Sequence, residues 1–213
     1  MELQSYVIGM VGTNCYIVTN ELTKEAIIID PPEQASVIEG KLKALEVTPV
    51  AILLTHGHFD HIMAAGDLRE SFQIPVFACE AERELLGNAN YNGSRMVRRN
   101  YTIEADRYLK DKELITLAGI KIKVLHTPGH TAGGVCYYFE DEKILISGDT
   151  LFRESVGRTD LSTGNYGILM DSIRRQLMIL PDEVTVYPGH GDKTTIGYER
   201  THNPFIGGND YLD

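Results

Sequence analysis

Short apolar runs and helically spaced apolar residues take turns along this chain. In the first thirty positions "LQSYVI", "NCYIVT" and "EAIIID" are rich in β-branched and aromatic side chains. They predict three strands, with a turn at "NELTKE" between the second and third. Pro31-Pro32 stops the extension. "EQASVIEGKLKALEV" then places apolar residues at 37, 38, 42 and 45, one face of a helix. "VAILLT" is a continuous apolar run, which suits a strand buried on both faces. A helix is predicted over 62–72, a strand at "IPVFA" and a short helix at "CEAERELLG". Residues 88–113 are polar and irregular and read as a loop. "ELITLAGIKIKVLHT" reads as a hairpin turning near Gly119, and "GVCYYF" and "KILISGD" as further strands. "YGILMDSIRRQLMILP" is an amphipathic helix ended by Pro181, and "VTVYPGHG" a last strand and loop. Alternating strands and helices with hairpins mixed in predict an α/β fold of layered, mixed sheets. No repeat, low-complexity tract or linker divides the sequence, so one domain over 1–213 is expected.

Composition narrows the partners. Twenty basic residues against 30 acidic ones give a net charge of −10. Nucleic acid and anionic membrane surfaces are bound by clustered Lys and Arg, so neither is expected. No apolar run reaches the ~18 residues that span a bilayer. Cys15, Cys79 and Cys136 are far apart, form no C-x-x-C pair and lie in or beside apolar stretches. They read as buried free thiols in a reducing compartment. "MELQSYVIGM" lacks the basic region and long apolar stretch of a signal peptide, so a cytoplasmic protein is expected.

Four apolar strands end in polar residues of one chemical kind. "VAILLT" runs into His56-Gly57-His58-Phe59-Asp60-His61, "IKVLHTPG" into His130, "KILISG" into Asp149 and "VTVYPG" into His190. Glycine precedes each of the last three, where chain segments can approach closely. If these strands run the same way, the four turns meet at one edge. Five histidines and two aspartates then converge, a nitrogen and oxygen donor set that suits Zn²⁺. One arrangement gives a first metal to His56, His58 and His130 and a second to Asp60, His61 and His190. Asp149 bridges them, because a carboxylate has two oxygens. Lone histidines in loops are usually solvated, and His126 and His202 read that way. A structural zinc site closes its coordination with four protein ligands; seven donors for two metals leave room for solvent.

"THGHFDH", "TPGHT", "SGDTLF" and "YPGHG" resemble the metallo-β-lactamase superfamily in its hydrolase branch. The resemblance runs from "TNCYIV" to "ERTHNPF" and is closest to the glyoxalase II (hydroxyacylglutathione hydrolase) group. "GDTLFRESVGRTDL" is similar to a short bacterial form of it. It implies a four-layer αββα sandwich, the ligand division above, and two divalent ions, Zn²⁺ first with Fe²⁺ or Mn²⁺ as alternatives. It also implies hydrolysis of a thioester of the S-lactoylglutathione type by a metal-bridging hydroxide, with Asp60 as the catalytic group that orients it. Arg158 matches the base that meets a substrate carboxylate in that group, and an ion pair with Asp160 is its competing reading. Asp160 and Asp192 stand where the larger enzymes carry pocket tyrosines, and the helical domain that grips glutathione there has no counterpart after His190. Both departures weaken the case for glutathione itself.

The rival from another class is a persulfide dioxygenase with one Fe²⁺ on His56, His130 and Asp149. A β-lactamase is disfavoured because no Cys stands before Asp149, only Gly148 and Ser147. A non-catalytic metal-binding protein ranks last. The expected partner is a small-molecule thioester, and the oligomeric state considered is a homodimer. Arg95, Arg98 and Arg99 read as a solvated face rather than a substrate rim.

Overall fold

The computed structural model describes residues 1–206. Its first sheet holds β1 (Glu2–Ile8), β2 (Thr13–Thr19), β3 (Glu25–Ile29), β4 (Thr48–Leu53), β5 (Val76–Cys79) and β6 (Arg107–Leu109), in that spatial order. β1, β2 and β3 are antiparallel, and β3 to β6 run parallel. The second sheet contains β7 (Leu114–Leu117), β8 (Ile120–His126), β9 (Val135–Phe139), β10 (Ile144–Gly148), β13 (Thr185–Pro188) and β14 (Thr194–Thr195). Its order is β14-β13-β10-β9-β8-β7. A small hairpin, β11 (Leu151–Phe152) and β12 (Ser155–Val156), stands apart. The α-helices are α1 (Ala35–Leu45), α2 (Phe59–Ile62), α3 (Ala65–Phe72), α4 (Arg83–Leu86), α5 (Tyr166–Ser172) and α6 (Ile196–His202).

The two-residue period of a strand sorts the apolar side chains into three layers of core. On the first sheet Ile17, Ile28, Ile52 and Val76 face α1 and α3, where Ile38, Leu42, Ala65 and Leu68 cover them. Their neighbours Tyr16, Val18, Ile27, Ile29 and Leu53 face the other sheet and meet Ile122, Val124, Tyr137, Phe139 and Ile146. Leu125, Tyr138, Leu145 and Val186 point outward from the second sheet onto Leu169, Ile173 and Leu177 of α5 and its extension, and onto Ile196 of α6. Both faces of the central strands are therefore buried, which is why they read as unbroken apolar runs. Each such Ile or Leu contributes about 1.5–3 kcal/mol relative to exposure. This is the four-layer αββα arrangement that the resemblance implied.

Several boundaries differ from the sequence reading. The helix expected over 62–72 is two, α2 and α3, and α2 begins at Phe59 among the polar cluster itself. The stretch 88–113 is not all loop: it contains a 3₁₀ turn at Ser94–Val97 and the edge strand β6, whose Arg107 pairs with Phe77. Three residues beginning with an exposed arginine carry too little alternation to announce a strand. The segment after His190 forms β14 and α6 rather than a loop alone. The helix at 166 leaves α geometry for a π turn over Ile173–Leu177. The three cysteines are buried and free. Among the described residues no helix is long and apolar enough to cross a membrane.

Strand direction settles where the polar turns emerge. β8 and β10 each pair antiparallel with β9, and β10 pairs parallel with β13. β8, β10 and β13 thus run the same way, and their C-terminal turns leave one edge. The first sheet is tied to that edge by hydrogen bonds. Val135 N donates to Thr55 O at 2.8 Å, and Asn14 N donates to Gly189 O at 2.8 Å.

Candidate metal centre

The seven side chains singled out from the sequence meet at this edge. One donor atom from each of His56, His58 and His130 lies within 4.8 Å of the others, and the same holds for Asp60, His61 and His190. Asp149 lies between the triads. Its Oδ1 is 3.5 Å from His61 Nε2, and its Oδ2 is 3.6 Å from His130 Nε2 and 3.7 Å from His190 Nε2. His190 Nε2 is 3.2 Å from Asp60 Oδ2. The glycine before each of three ligand positions allows this crowding. A Cβ at Gly129, Gly148 or Gly189 would lie 2.3, 2.3 or 2.1 Å from Leu169 N, Thr55 Oγ1 or Asp149 Oδ1.

Residues outside the expected set fix the rings. Asp30, fully buried at the end of β3, accepts Thr55 N at 2.7 Å, the Thr55 hydroxyl at 2.6 Å and His61 Nδ1 at 2.9 Å. The Thr55 oxygen then has a lone pair for His56 Nδ1, 3.1 Å away. His130 Nδ1 donates to the Arg158 carbonyl at 2.7 Å. Carbonyls and carboxylates only accept, so each of these rings, when neutral, keeps its lone pair on Nε2. His58 presents its other nitrogen, with Nδ1 2.9 Å from His130 Nε2.

Several polar atoms around the centre are left without partners. His56 Nε2, His58 Nε2, His61 Nε2 and Asp149 Oδ1 are buried and have no hydrogen-bond partner among the described residues. Leaving one such atom unpaired costs about 1–3 kcal/mol. Burial holds His58 down at about 3, with His130 adding to the effect. Burial also lowers His56 and His130. Burial would lower His61 too, yet Asp149, Asp60 and Asp30 hold it up at about 10. Burial opposes ionisation of Asp60, but His61 and His190 keep its carboxyl well below the usual range. Once a cation displaces the protons that the carboxylates hold on His61 and His190, ring lone pairs around ionised carboxylates form a donor set that fits divalent cations.

Glu82 is a further buried carboxylate. It accepts Gly57 N at 2.8 Å, Gly133 N at 2.7 Å and the Thr131 hydroxyl at 3.2 Å, which ties the His56–His61 turn to the His130 turn. Burial raises its pKa despite these bonds. Asp30 was legible in principle: "EAIIID" ends an apolar strand in an acid, just as "KILISGD" does. Glu82 follows a strand within an ordinary polar helix start and carries no such signal. We expect Asp30→Asn to lower metal affinity 10–100-fold, because the amide offers only one acceptor oxygen to donors that both carboxylate oxygens now serve. Chelator competition checks this.

A cavity of about 710 Å³ opens over the two triads. Phe59, Tyr91 and Met96 line it on the side of His58, and Phe152, Val156 and Leu161 join Asp149 and His190 in its lining. Arg158 reaches it, but the guanidinium is engaged. Its Nε and Nη2 donate to Asp160 Oδ1 and Oδ2, each at 2.8 Å. This is the ion pair that competed with a substrate role. Arg95 donates to Asn100 and Asn90, and Arg95, Arg98 and Arg99 do not line the cavity. His126 Nε2 lies 3.0 Å from Ala132 O, and His202 stacks on Tyr198, both away from the centre.

The family model described as "Metallo-beta-lactamase superfamily" matches residues 8–190, a span that includes all seven side chains. A "Probable metallo-hydrolase" of Streptococcus pyogenes serotype M6 is 39% identical over 212 residues, covering 97% of this chain and 90% of its own. "Hydroxyacylglutathione hydrolase GloC" of Haemophilus influenzae is 34% identical over 200 residues, covering 91% and 92%. Among solved structures, BLEG-1 B3 metallo-beta-lactamase matches with a TM-score of 0.92 at 42% identity, over 97% of this chain and 100% of that one. TTHA1623 in a di-iron-bound form matches at 0.85 and 34% identity, over 95% and 100%. ETHE1 from Myxococcus xanthus matches at 0.81 and 31% identity, over 99% and 86%.

Proposed function

This chain belongs to the metallo-β-lactamase superfamily, and from that premise we propose that it is a metal-dependent hydrolase of thioesters, the bond type of S-lactoylglutathione. The observation that carries the reading is Asp149, whose Oδ2 lies 3.6 Å from His130 of one triad and 3.7 Å from His190 of the other, while its Oδ1 lies 3.5 Å from His61. His56, His58 and His130 would hold one divalent cation and Asp60, His61 and His190 a second, with Asp149 shared. Bound there, two cations would acidify water near neutral pH and polarise the thioester carbonyl. The GloC relative supports the thioester, and the di-iron-bound neighbour supports keeping iron beside Zn²⁺ as a candidate metal.

The chain's own groups do the remaining work. Asp60 Oδ2 is steadied by the Thr13 hydroxyl at 3.2 Å and by His190, and the ionised carboxylate accepts a proton of the attacking water and orients it. Arg158 O, Asp30 and Thr55 hold the imidazoles in one tautomer. Phe59 and Phe152 give the cavity apolar walls beside the ligands. In hydrolysis the water oxygen forms the new bond to the acyl carbon. The C–S bond breaks with its electron pair on sulfur, and the products are a carboxylic acid and a thiol. A thiolate leaves readily because its pKa is about 8.5, which fits a site with no histidine left over as a general acid.

The second reading is the mononuclear Fe²⁺ dioxygenase, favoured by the 3.6 Å approach of Asp149 to His130, next to His56. Metal content of protein purified without added metal, followed by a panel of thioesters, glutathione persulfide with oxygen and a β-lactam, decides between them. Two metals per chain with thiol release supports the hydrolase. One iron with oxygen uptake, or β-lactam opening without thioester cleavage, overturns it.

A further inference from the structure

The cavity beside the proposed centre is poor in charge that a substrate can use. Its lining includes the apolar Phe59, Met96, Phe152, Val156 and Leu161 beside the uncharged Asn90, Asn92, Ser155 and Ser162. The one lining cation other than histidine is Arg158, and both arms of its fork that reach Asp160 are occupied. That pair is exposed, so water also screens what charge remains. Asp60 and Asp149 line the same space but are committed to the proposed cations, and the chain as a whole is at −10. A glutathione thioester carries carboxylates for which the lining offers one guanidinium, already paired with Asp160. An uncharged chain would bury apolar surface against the five apolar side chains, and its gain would grow with length.

We propose that the substrate is a thioester with an uncharged, apolar acyl chain on an uncharged thiol, and not a thioester of an anionic peptide. This rests on the hydrolase reading above. The test uses the metal-loaded protein with N-acetylcysteamine thioesters from acetyl to octanoyl and the matching glutathione thioesters. The value of kcat/KM rises about fourfold per added methylene until the cavity is filled, and each glutathione thioester is at least about tenfold poorer than its neutral counterpart. Leu161→Asp flattens the chain-length slope. Asp160→Asn frees Arg158 and narrows the gap between the two series. A flat slope in the wild-type protein, or glutathione thioesters cleaved as well as the neutral ones, overturns the proposal. A binding arm separates this from failure of the hydrolase reading. If no thioester is cleaved, yet S-octyl-N-acetylcysteamine binds at least tenfold more tightly than S-octylglutathione, the cavity preference stands and the reaction is wrong. Equal binding of the two overturns the preference itself.

Discussion

Asp149→Ala lowers thioester hydrolysis by on the order of 10³-fold or more, because bound metal supplies several kcal/mol of transition-state stabilisation and this residue touches both proposed sites. The carboxylate faces His61 with one oxygen and His130 and His190 with the other. Removing it leaves the two triads without a shared anion, so metal stoichiometry falls along with turnover. The fold survives, since the side chain sits at the open edge and contributes to none of the three apolar layers. Kinetics, metal analysis and circular dichroism on one preparation check the three statements together. Full turnover, or full metal content, in this variant contradicts the bridging role. His58→Ala separates the two reactions: it removes a proposed ligand of the dinuclear site that the mononuclear reading does not use. Loss of hydrolysis is expected. Retained hydrolysis with His58 gone means that two complete sites are not required.

Gly189→Ala is expected to abolish metal binding without replacing a single ligand. A Cβ at this position would lie 2.1 Å from Asp149 Oδ1 and 2.7 Å from His61 Cε1, with the Gly148 carbonyl carbon at 3.2 Å. None of these can retreat cheaply. His61 is fully buried and held by Asp30, and Gly148 belongs to β10. The ligands themselves must part, and turnover falls about 10²-fold or more, the cost of misplacing reacting groups by an ångström. Gly40→Ala is the matching control. Nothing lies within 4 Å of its added methyl, and it sits inside α1. There the exchange stabilises the protein by about 0.5–1 kcal/mol, because alanine gives up less backbone freedom on folding. Urea unfolding of both variants and metal titration check the contrast. Normal metal affinity in Gly189→Ala would show that the turn is looser than its contacts indicate.

Much of the site was legible because its signal is local. His56, His58, Asp60 and His61 lie within six positions after an apolar run, and such residues are costly to bury unless something binds them. His130, Asp149 and His190 each follow glycine at the end of a strand, a repetition visible without coordinates. The central strands were equally plain, since burial on both faces leaves continuous apolar runs such as "EAIII" and "VAILL". What failed to show was short or edge-bound: β6 with its exposed Arg107, β14, and the helix over Ile196–His202.

The sequence alone therefore determined the layering of strands and helices and the donor chemistry, because burial and donor type are properties of residue types in order. Tertiary structure decided what depends on distance between segments remote along the chain. It gave β8, β10 and β13 one direction, and it set Asp149 between the triads. It placed Asp30 and Glu82 behind the rings. Pairings of that kind leave no mark on local periodicity, since each partner is an ordinary residue until the two sheets bring it within reach of the other.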